Sequence, residues 1–553
     1  MNLTRRELLT LFLGAPFAFA ACRERGVPAR FPDGEIVGQD VSLGHILREG
    51  RSFEVPAENW KSVKVAIVGG GIAGLSAAWK LSKQNFHDFV LLELERQVGG
   101  TSQSSVGQPV SYPWGAHYLP VPFPENTELI ELLDEMSLVE RRMESGEWSV
   151  KEEFLCRDPE ERVFYKGRWY DGLYLHVGES EDDKQQLAAF QKQIDYWVNW
   201  RDASGRRAFV VPSANCSSDA EVTALDKISF AEWLRQNHFT SNRLIWYCDY
   251  ACRDDYGLKL EQTSAWAGLF YFCSRVRRSG EESQPFITFP EGNGRFVNHF
   301  LERVKDKVRQ SHAVVSVVPN EKGVNVTCLA DGKLRGFRCE KVIFASPIFT
   351  APHVIRGFAD DPPFAANDFQ HNAWFVANLL LRDRPAPRFA RDFPLAWDNV
   401  FYESPSLGYV NATHQKGIDY GPTILTYYYP MCGEADMQKP ARSKGEINVS
   451  DGRAKLFDYG WRDLADVCLT DIARAHPDIY QLCERIDIMR WGHAMISPRP
   501  NFIWSGICQR AVKPYRNIHF AHTDLSGFAL FEEAFYHGLR AAQEILTPAT
   551  SSR

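Results

Sequence analysis

The chain has 553 residues, of which 44% are hydrophobic and 24% charged, so it has the composition of a globular protein and room for two domains. Its formal net charge of -7 is modest and gives no reason to expect nucleic-acid binding. After the N-terminal region, no apolar run approaches the ~18 residues that would suggest a membrane span.

An arginine pair, Arg5 and Arg6, precedes an apolar run too short to span a bilayer. This pattern predicts a twin-arginine signal over residues 1–22, which would export the folded protein to the periplasm. Two processing sites fit the sequence: a small-residue signal-peptidase site at residues 18–20, or a lipobox in which Cys22 is lipidated. A lipid on Cys22 would anchor the protein to a membrane surface.

Residues 23–59 are polar, contain proline and glycine and show no clear periodicity, so we expect a partly disordered tether and N-terminal extension. The twelve cysteines are scattered along the chain. Cys248 and Cys252 lie four residues apart in a predicted helix, without histidines at metal-site spacing, so we expect no metal site. Because twin-arginine substrates fold in the reducing cytoplasm, most thiols are expected to be buried and free.

A buried strand ending at Val68 runs directly into a G-x-G-x-x-G motif and then into an amphipathic helix that contains Ala73. In this motif Gly69 permits a tight turn, Gly71 lets the backbone approach a pyrophosphate, and Gly74 lets the helix pack on the strand. The helix N-terminus offers free N–H groups to phosphate. Glu93 ends the next strand, where a carboxylate can hold ribose hydroxyls, so the segment predicts an adenine-dinucleotide site.

The middle of the chain alternates between helical and strand patterns. Residues 125–273 show apolar residues at helical spacing. Residues 314–317 and 323–327 predict an antiparallel hairpin, and residues 341–347 predict a strand that returns to the parallel sheet. Further strand-like runs cover residues 374–381 and 423–429.

Two distant stretches carry a family resemblance. Gly99-Gly100 and the segment SYPWGAHYL at 111–119 follow Glu93, and NIHFAHTDLSGFALFEEAFYHGLRAAQEIL occupies 517–546. Together they resemble the FAD-dependent amine oxidase superfamily. This resemblance implies a Rossmann-like α/β domain, a parallel sheet with an antiparallel hairpin insertion, interleaved with an α+β substrate domain. The FAD-binding domain would comprise residues 60–124, 285–350 and 505–548, and the substrate domain residues 125–284 and 351–504.

The resemblance also implies which residues surround noncovalent FAD. Asp524 would contact the ribityl and phosphate region, and Val314 would touch the adenine. The full set of predicted cofactor-binding residues is Gly69, Gly71, Ala73, Gly74, Glu93, Gly99, Gly100, Thr101, Gly115, Ala116, His117, Val314, Asp524 and Phe531.

The sequence departs from the family pattern in four places. No lysine occurs in residues 372–382, where many amine oxidases carry one beside the flavin. Leu530 and Phe531 stand where a cage tyrosine would be expected, and Thr101 replaces the usual arginine. The S-G-G-C motif of covalent flavin attachment is absent, so FAD should be noncovalent. These departures weaken the expectation of an amine substrate more than that of FAD.

Flavin chemistry on an amine needs a dry, aromatic pocket that holds a neutral nitrogen. The predicted wall residues are Trp491, Trp504, Phe528, Phe531 and Tyr536. Histidines near the expected pocket, namely His117, His414, His493 and His522, could act near neutral pH. As catalytic residues we single out His522, His493, Trp491 and Phe531.

The leading hypothesis is oxidation of a small-molecule amine (a monoamine, a polyamine or an amino acid), with oxygen or a membrane carrier as electron acceptor. A second is a dehydrogenase or desaturase of a lipophilic substrate that passes electrons to a membrane carrier. A third is a noncatalytic flavin-binding relative. The sequence leaves all three open.

Overall fold

The computed structural model describes residues 31–48, 53–141, 148–386, 394–432 and 449–547. The predicted export signal and Cys22 lie outside these ranges. The strands, in chain order, are β1 (Asp33–Val37), β2 (Trp60–Val68), β3 (Phe89–Leu92), β4 (Ser104–Ser105), β5 (Tyr112–Pro113), β6 (Tyr118–Pro120), β7 (Val139–Arg141), β8 (Trp148–Val150), β9 (Glu161–Tyr165), β10 (Arg168–Asp171), β11 (Phe286–Thr288), β12 (Val308–Arg309), β13 (Ala313–Asn320), β14 (Gly323–Ala330), β15 (Lys333–Phe344), β16 (His371–Leu381), β17 (Asp398–Phe401), β18 (Gly408–Asn411), β19 (Thr423–Pro430), β20 (Cys483–Ile496) and β21 (Ile518–Phe520).

The α-helices, in chain order, are α1 (Val41–Ile46), α2 (Ile72–Lys83), α3 (Thr127–Glu135), α4 (Glu181–Asn199), α5 (Ala220–Thr223), α6 (Phe230–Gln236), α7 (Asn242–Tyr256), α8 (Ala265–Cys273), α9 (Gly294–Val304), α10 (Ala351–Val354), α11 (Val449–Asp458), α12 (Trp461–Ala473), α13 (Ile479–Leu482), α14 (Ile507–Ala511) and α15 (Phe531–Leu546). No helix in the described ranges is both long and apolar enough to cross a bilayer.

A seven-stranded sheet forms the first layer. Its strands run in the order β12-β3-β2-β15-β14-β13, and β21 pairs with the C-terminal part of β15. The pairs β12–β3, β3–β2, β2–β15 and β15–β21 are parallel, whereas β13, β14 and β15 are joined in antiparallel fashion. The predicted parallel sheet with its hairpin insertion is therefore confirmed, and the fold class is α/β of the Rossmann-like kind.

Helices α2 and α15 cover one face of this sheet. Residues 65–68 of β2 and all four residues of β3 are fully or almost fully buried because parallel strands are covered on both faces. The two helices cross closely: a Cβ added to Gly538 of α15 would lie 2.3 Å from the carbonyl oxygen of Ala73 in α2. The C-terminal helix is thus seated on the glycine-rich helix, which brings distant parts of the chain together.

The second layer is an eight-stranded mixed sheet in the order β1-β20-β16-β19-β18-β17-β9-β10. Most neighbours are antiparallel, but β1–β20 and β17–β9 are parallel. Helices α12 and α13 supply apolar residues to the core on one of its faces. The chain passes between the two sheets five times, as expected for interleaved domains.

The structure refines one expectation. Residues 33–46, which fall within the extension expected to be partly disordered, form β1 and α1, and β1 joins the eight-stranded sheet. The pairing partner β20 lies some 450 residues away, so local sequence carried no signal for it. Helix α9 ends at Val304, and Val308 begins the short strand β12.

Every cysteine in the described ranges is free, and all but the half-buried Cys156 are buried, as expected for these ranges. Cys248 and Cys252 both lie buried in α7. The described part of the chain contains no group of three or more His, Cys, Asp or Glu residues arranged to hold a metal ion.

Candidate active site

The loop between β2 and α2 shows why glycine is needed at each motif position. Gly69 has φ of 105°, and a Cβ on it would lie 2.7 Å from the carbonyl oxygen of Ala345. A Cβ on Gly74 would lie 1.9 Å from the carbonyl oxygen of Gly69, so α2 packs directly on the turn. A Cβ on Gly71 would meet nothing within 4 Å, because this residue faces open space at the helix N-terminus. That space is where a phosphate would be bound.

Glu93, at the end of β3, fixes this loop. Its Oε2 accepts a hydrogen bond from the Gly70 N–H at 2.6 Å, and its Oε1 accepts one from the Glu95 N–H at 2.8 Å. Burial raises the pKa of the Glu93 carboxyl to about 7, opposed by these backbone donors. The residue thus holds the glycine loop in shape while its side chain remains on the cleft wall.

Asp524 lies in the turn after β21, opposite the glycine loop. It is fully buried, and its carboxylate accepts hydrogen bonds from the Ile348 N–H at 2.9 Å and from His371 Nε2 at 2.9 Å. His522 Nδ1 lies 3.0 Å from the same carboxylate. Burial alone would raise the pKa of Asp524, but His371 and His522 hold it well below its usual value. The Asp524 carboxylate is therefore negatively charged and lies in contact with two histidine side chains.

These elements enclose one cleft of about 320 Å³. The glycine loop and Asp524, which are some 450 residues apart, both line it. The sequence-predicted residues on its walls are Gly69, Gly71, Ala73, Glu93, Gly99, Gly100, Thr101, Ala116, Val314, Trp491, His493, His522, Asp524 and Phe531. Gln39 and Leu47 of the N-terminal segment also reach it. Gly74 is not on the wall, and Gly115 and His117 lie beyond it.

A second cavity, of about 150 Å³, adjoins the cleft. The residues shared by both are Thr101, Ala116, Trp491, Ala494, Ala529, Leu530 and Phe531. Trp491 is held in place because its Nε1 donates to the carbonyl oxygen of Trp114 at 2.7 Å. Since the shared residues form the wall between the two spaces, a molecule in the cavity would lie next to the end of the cleft.

Aromatic rings form much of the cavity wall. The imidazole of His117 stacks on Tyr428, with ring centroids 4.9 Å apart, and lies 5.3 Å from Trp397. Tyr428 is fixed by its hydroxyl, which donates to the carbonyl oxygen of Gly115 at 2.9 Å. Burial lowers the pKa of His117 to about 4, so this ring is neutral at physiological pH.

Carboxyl groups interrupt this aromatic wall. Glu161, Asp254, Asp398 and Glu532 line the cavity together with the ion pair of Arg275 and Asp255. Burial raises the pKa of Asp398 and of Glu532 to about 7, and it raises those of Glu161 and Asp254 well above their usual values. Arg275 is engaged, because its guanidinium lies 2.9 Å and 3.1 Å from the two carboxylate oxygens of Asp255.

Several predicted wall residues lie elsewhere. Phe528 is fully buried among Phe270 and Trp266, where apolar packing explains it. Trp504 and Tyr536 border neither the cleft nor the cavity. His414 Nε2 hydrogen-bonds the carbonyl oxygen of Arg157 at 2.9 Å, away from both spaces. Each is an apolar or amphipathic residue close in sequence to the site, and sequence proximity does not fix which way a side chain points.

The two histidines predicted to be catalytic lie in the cleft and not in the cavity. His493 and His522 line the cleft near Asp524 but do not border the cavity. Burial, together with Arg453 and His371, lowers the pKa of His493 to about 3, so it is neutral. Of the four residues singled out as catalytic, Trp491 and Phe531 alone border both spaces.

The sequence interpretation missed the carboxyl groups of the cavity. Two signals were available. Asp254 and Asp255 interrupt the apolar and aromatic helix α7, and Asp398 lies in a segment dense in polar groups among aromatic residues. Neither signal shows that these acids meet, because Glu161, Asp254 and Asp398 come from three separate elements.

The chain is similar in sequence to known proteins. The family model of flavin containing amine oxidoreductases matches residues 72–378. The chain is 23% identical over 498 residues to an L-amino acid dehydrogenase of Synechocystis sp., which covers 87% of this chain and 94% of that protein.

Solved structures show the same fold. A putrescine oxidase, solved with putrescine bound, has a TM-score of 0.63 at 17% identity and covers 88% of this chain and 99% of its own. A cyclohexylamine oxidase from Brevibacterium oxydans has a TM-score of 0.60 at 14% identity with the same coverage.

Proposed function

The chain belongs to the family of flavin-containing amine oxidoreductases and is a flavin-dependent oxidoreductase; from this premise we propose that it binds FAD noncovalently and oxidises an amine. The observation that carries the proposal is the junction of the two spaces: the glycine-loop cleft adjoins, across a shared wall, an aromatic cavity rich in carboxyl groups. Aromatic faces and carboxylates are what a cationic amine requires for recognition.

The cleft has the features that FAD requires. Gly71 leaves open space at the N-terminus of α2 for a pyrophosphate, and Glu93 lies at the end of β3, where a ribose would be held. Val314 and Asp524 would meet the adenine and the ribityl region, as the family resemblance implies. Within the described ranges, no cysteine lines the cleft, which supports noncovalent binding.

Bound flavin supplies a two-electron acceptor for the hydride on the carbon next to the amine nitrogen. The residues of the chain would orient the substrate, exclude water and accept the proton of the substrate ammonium. The rings of His117, Tyr428 and Trp397 provide the dry wall. The nitrogen lone pair then forms the C=N bond, and water hydrolyses the imine to a carbonyl compound and free amine or ammonia.

Glu532 is the residue best suited to accept the ammonium proton. It lines the cavity directly after Phe531, which borders both spaces, and its pKa of about 7 permits proton transfer near neutral pH. Glu532→Gln should therefore lower kcat/KM by roughly 100-fold or more. It also removes the ionisation near pH 7 from the pH profile. An unchanged profile would assign the proton transfer to another group.

Anaerobic stopped-flow spectroscopy tests the function. Monoamines, diamines and amino acids are mixed in turn with the flavin-loaded enzyme, and bleaching of the flavin band is followed. At least one amine should bleach it at a rate that saturates with concentration. Absence of bleaching by every amine would refute amine oxidation. Reoxidation by oxygen or by a quinone then identifies the electron acceptor.

We also propose that the protein is exported by the twin-arginine route and is tethered in the periplasm through a lipid on Cys22. The Arg5-Arg6 pair, the short apolar run and the lipobox-like sequence support this proposal. Replacement of both arginines by lysine should leave the protein in the cytoplasm. Mass spectrometry of the mature N-terminus distinguishes lipidation of Cys22 from simple cleavage.

A further inference from the structure

Three carboxyl groups gather in the part of the cavity away from the cleft. Glu161 and Asp398 are register partners in the parallel strands β9 and β17, and Asp254 lies near the end of α7. All three line the cavity, and none of them lines the cleft. We call Glu161, Asp254 and Asp398 the carboxyl cluster.

The carboxyl cluster has no cationic partner within the described ranges. No lysine, arginine or histidine nitrogen there lies within 4.0 Å of these carboxyl oxygens, and the nearby Arg275 is paired with Asp255. Other ionisable groups interact electrostatically with the cluster without forming an ion pair with it: Cys156, Glu160, Tyr247, Tyr250, Arg253, Asp255, Tyr271, Arg275 and Tyr428. Mutual repulsion and burial disfavour the charged forms, so the cluster is most stable when it is protonated or when it binds a cation.

A second feature of the cavity points to a ligand that donates hydrogen bonds. Asn293 is 1% exposed and lines the cavity; its amide nitrogen donates to the carbonyl oxygen of Tyr118 at 3.1 Å, but its Oδ1 accepts no hydrogen bond. A buried acceptor without a hydrogen bond lowers the stability of the folded protein, so a ligand that donates a hydrogen bond to Asn293 would be favoured.

The cluster does not suit a metal ion. The described part of the chain contains no set of three potential metal ligands at coordinating distance. Tyr250 reaches Asp398 through a 3.4 Å hydrogen bond, and aromatic rings flank the acids. Acids mixed with aromatic faces fit an organic ammonium group.

We propose that the carboxyl cluster binds a second, non-reacting cationic group of the substrate, so that the substrate class is a diamine or polyamine. This inference rests on the proposed function. One amine would lie at the wall shared with the cleft, where Trp491 and Phe531 stand, and the other at the cluster. An amino acid fits less well, because the one guanidinium on the cavity wall, within the described ranges, is already paired with Asp255.

The binding test uses enzyme whose flavin has been reduced with dithionite, so that no amine can be oxidised. Calorimetric titrations compare a series of α,ω-diaminoalkanes of increasing length with n-alkylamines of the same length. A diamine of matching length should bind at least roughly 30-fold more tightly than its monoamine. Equal affinities across the series would overturn the inference.

Charge-neutralising variants locate the second site. Asp254→Asn, Asp398→Asn and Glu161→Gln should each weaken diamine binding about 10-fold or more and change monoamine binding by less than about 3-fold. Glu160→Gln is the matched control, because Glu160 adjoins Glu161 in sequence but does not line the cavity. Equal losses for diamine and monoamine would assign the cluster a structural role and contradict the inference.

The outcomes separate the two proposals. If no amine bleaches the oxidised flavin but the diamines bind through the cluster, amine oxidation fails and the cation site stands. If amines bleach the flavin but diamines hold no advantage, amine oxidation stands and the cation site fails.

Discussion

The cleft and the cavity are built by different means. The cleft is shaped mainly by backbone: a glycine turn, a helix N-terminus and the loop after β15, each set by a few consecutive residues. The cavity is shaped by side chains from β9, α7, β17, β19 and α15, elements spread over nearly four hundred residues. A site formed by backbone tolerates substitution of the surrounding side chains, but not an atom added to one of its glycines. A site formed by side chains depends on each contact between those side chains.

The largest effect on stability should come from breaking the ion pair between Arg275 and Asp255 in the cavity wall. Arg275 and Asp255 are 8% and 4% exposed at their side chains, so Arg275→Met leaves a buried carboxylate unpaired. We expect a loss of about 3–5 kcal/mol in the free energy of unfolding. Chemical denaturation measures this loss.

Two variants control for that result. Arg235→Ala removes an exposed pair with Glu232 and should cost less than about 1 kcal/mol. The double variant Arg275→Met with Asp255→Leu should recover most of the stability, because no unpaired charge remains. A single variant as stable as the wild type would show that the cavity does not depend on this pair.

The next effect concerns the cleft. Gly71 has φ of -70° and an unobstructed Cβ position, so Gly71→Ala should fold normally yet place a methyl group in the space for the pyrophosphate. We expect flavin affinity to fall at least about 100-fold, or ~2.7 kcal/mol. The dissociation constant is measured from the fluorescence of the flavin that is released from the protein.

Gly44→Ala is the matched control, because its Cβ is equally unobstructed but Gly44, on α1, does not line the cleft. Flavin affinity should not change. Gly74→Ala should instead impair folding, because its Cβ would overlap the Gly69 carbonyl oxygen. Full flavin binding by Gly71→Ala would contradict the backbone-built cleft.

A smaller effect is expected in the pH dependence of stability. The folded-state pKa of Asp398 is about 7, above the value of ~3.9 in an unfolded chain, because burial disfavours its charge. The folded state therefore holds the proton longer, and this stabilisation is lost as the pH rises from about 4 to 7. Asp398→Asn should reduce the fall in stability over this window. Denaturation of the flavin-free protein at several pH values measures it, and an unchanged slope would contradict the shifted pKa.

The smallest effect should come from Tyr428→Phe. The variant loses the hydrogen bond to the Gly115 carbonyl but keeps the ring stacked on His117. We expect a cost of about 1 kcal/mol in stability and no change in flavin affinity. A large loss of flavin would show that the turn at Gly115 shapes the cleft as well as the cavity.

This difference explains what the sequence could predict. The strand, the glycines and Glu93 are contiguous and their spacing follows from local geometry, so the fold class and the cleft could be inferred. Asp524 was found because its turn resembles a family motif. The side-chain directions of Phe528 and His414 could not be inferred, because they depend on tertiary packing.

The carboxyl cluster could not be predicted from the sequence for a related reason. Glu161 and Asp398 meet only because β9 pairs with β17 in one register, and a shift by one residue would turn either side chain to the other face. No local pattern specifies that register. In the proposed cation site, the position of these two carboxyl groups is therefore determined by the pairing of β9 with β17.

Strand β1 covers the edge of β20 in the eight-stranded sheet. It pairs in parallel with β20 from Asp33 to Val37, and Glu35 forms an ion pair with Arg485 at 2.6 Å. Without it, β20 would present an open row of amide and carbonyl groups, which is a template for self-association. Proteolytic trimming just after Val37 should therefore increase light scattering by the purified protein, because residues 33–37 protect the edge of β20 from association with another chain.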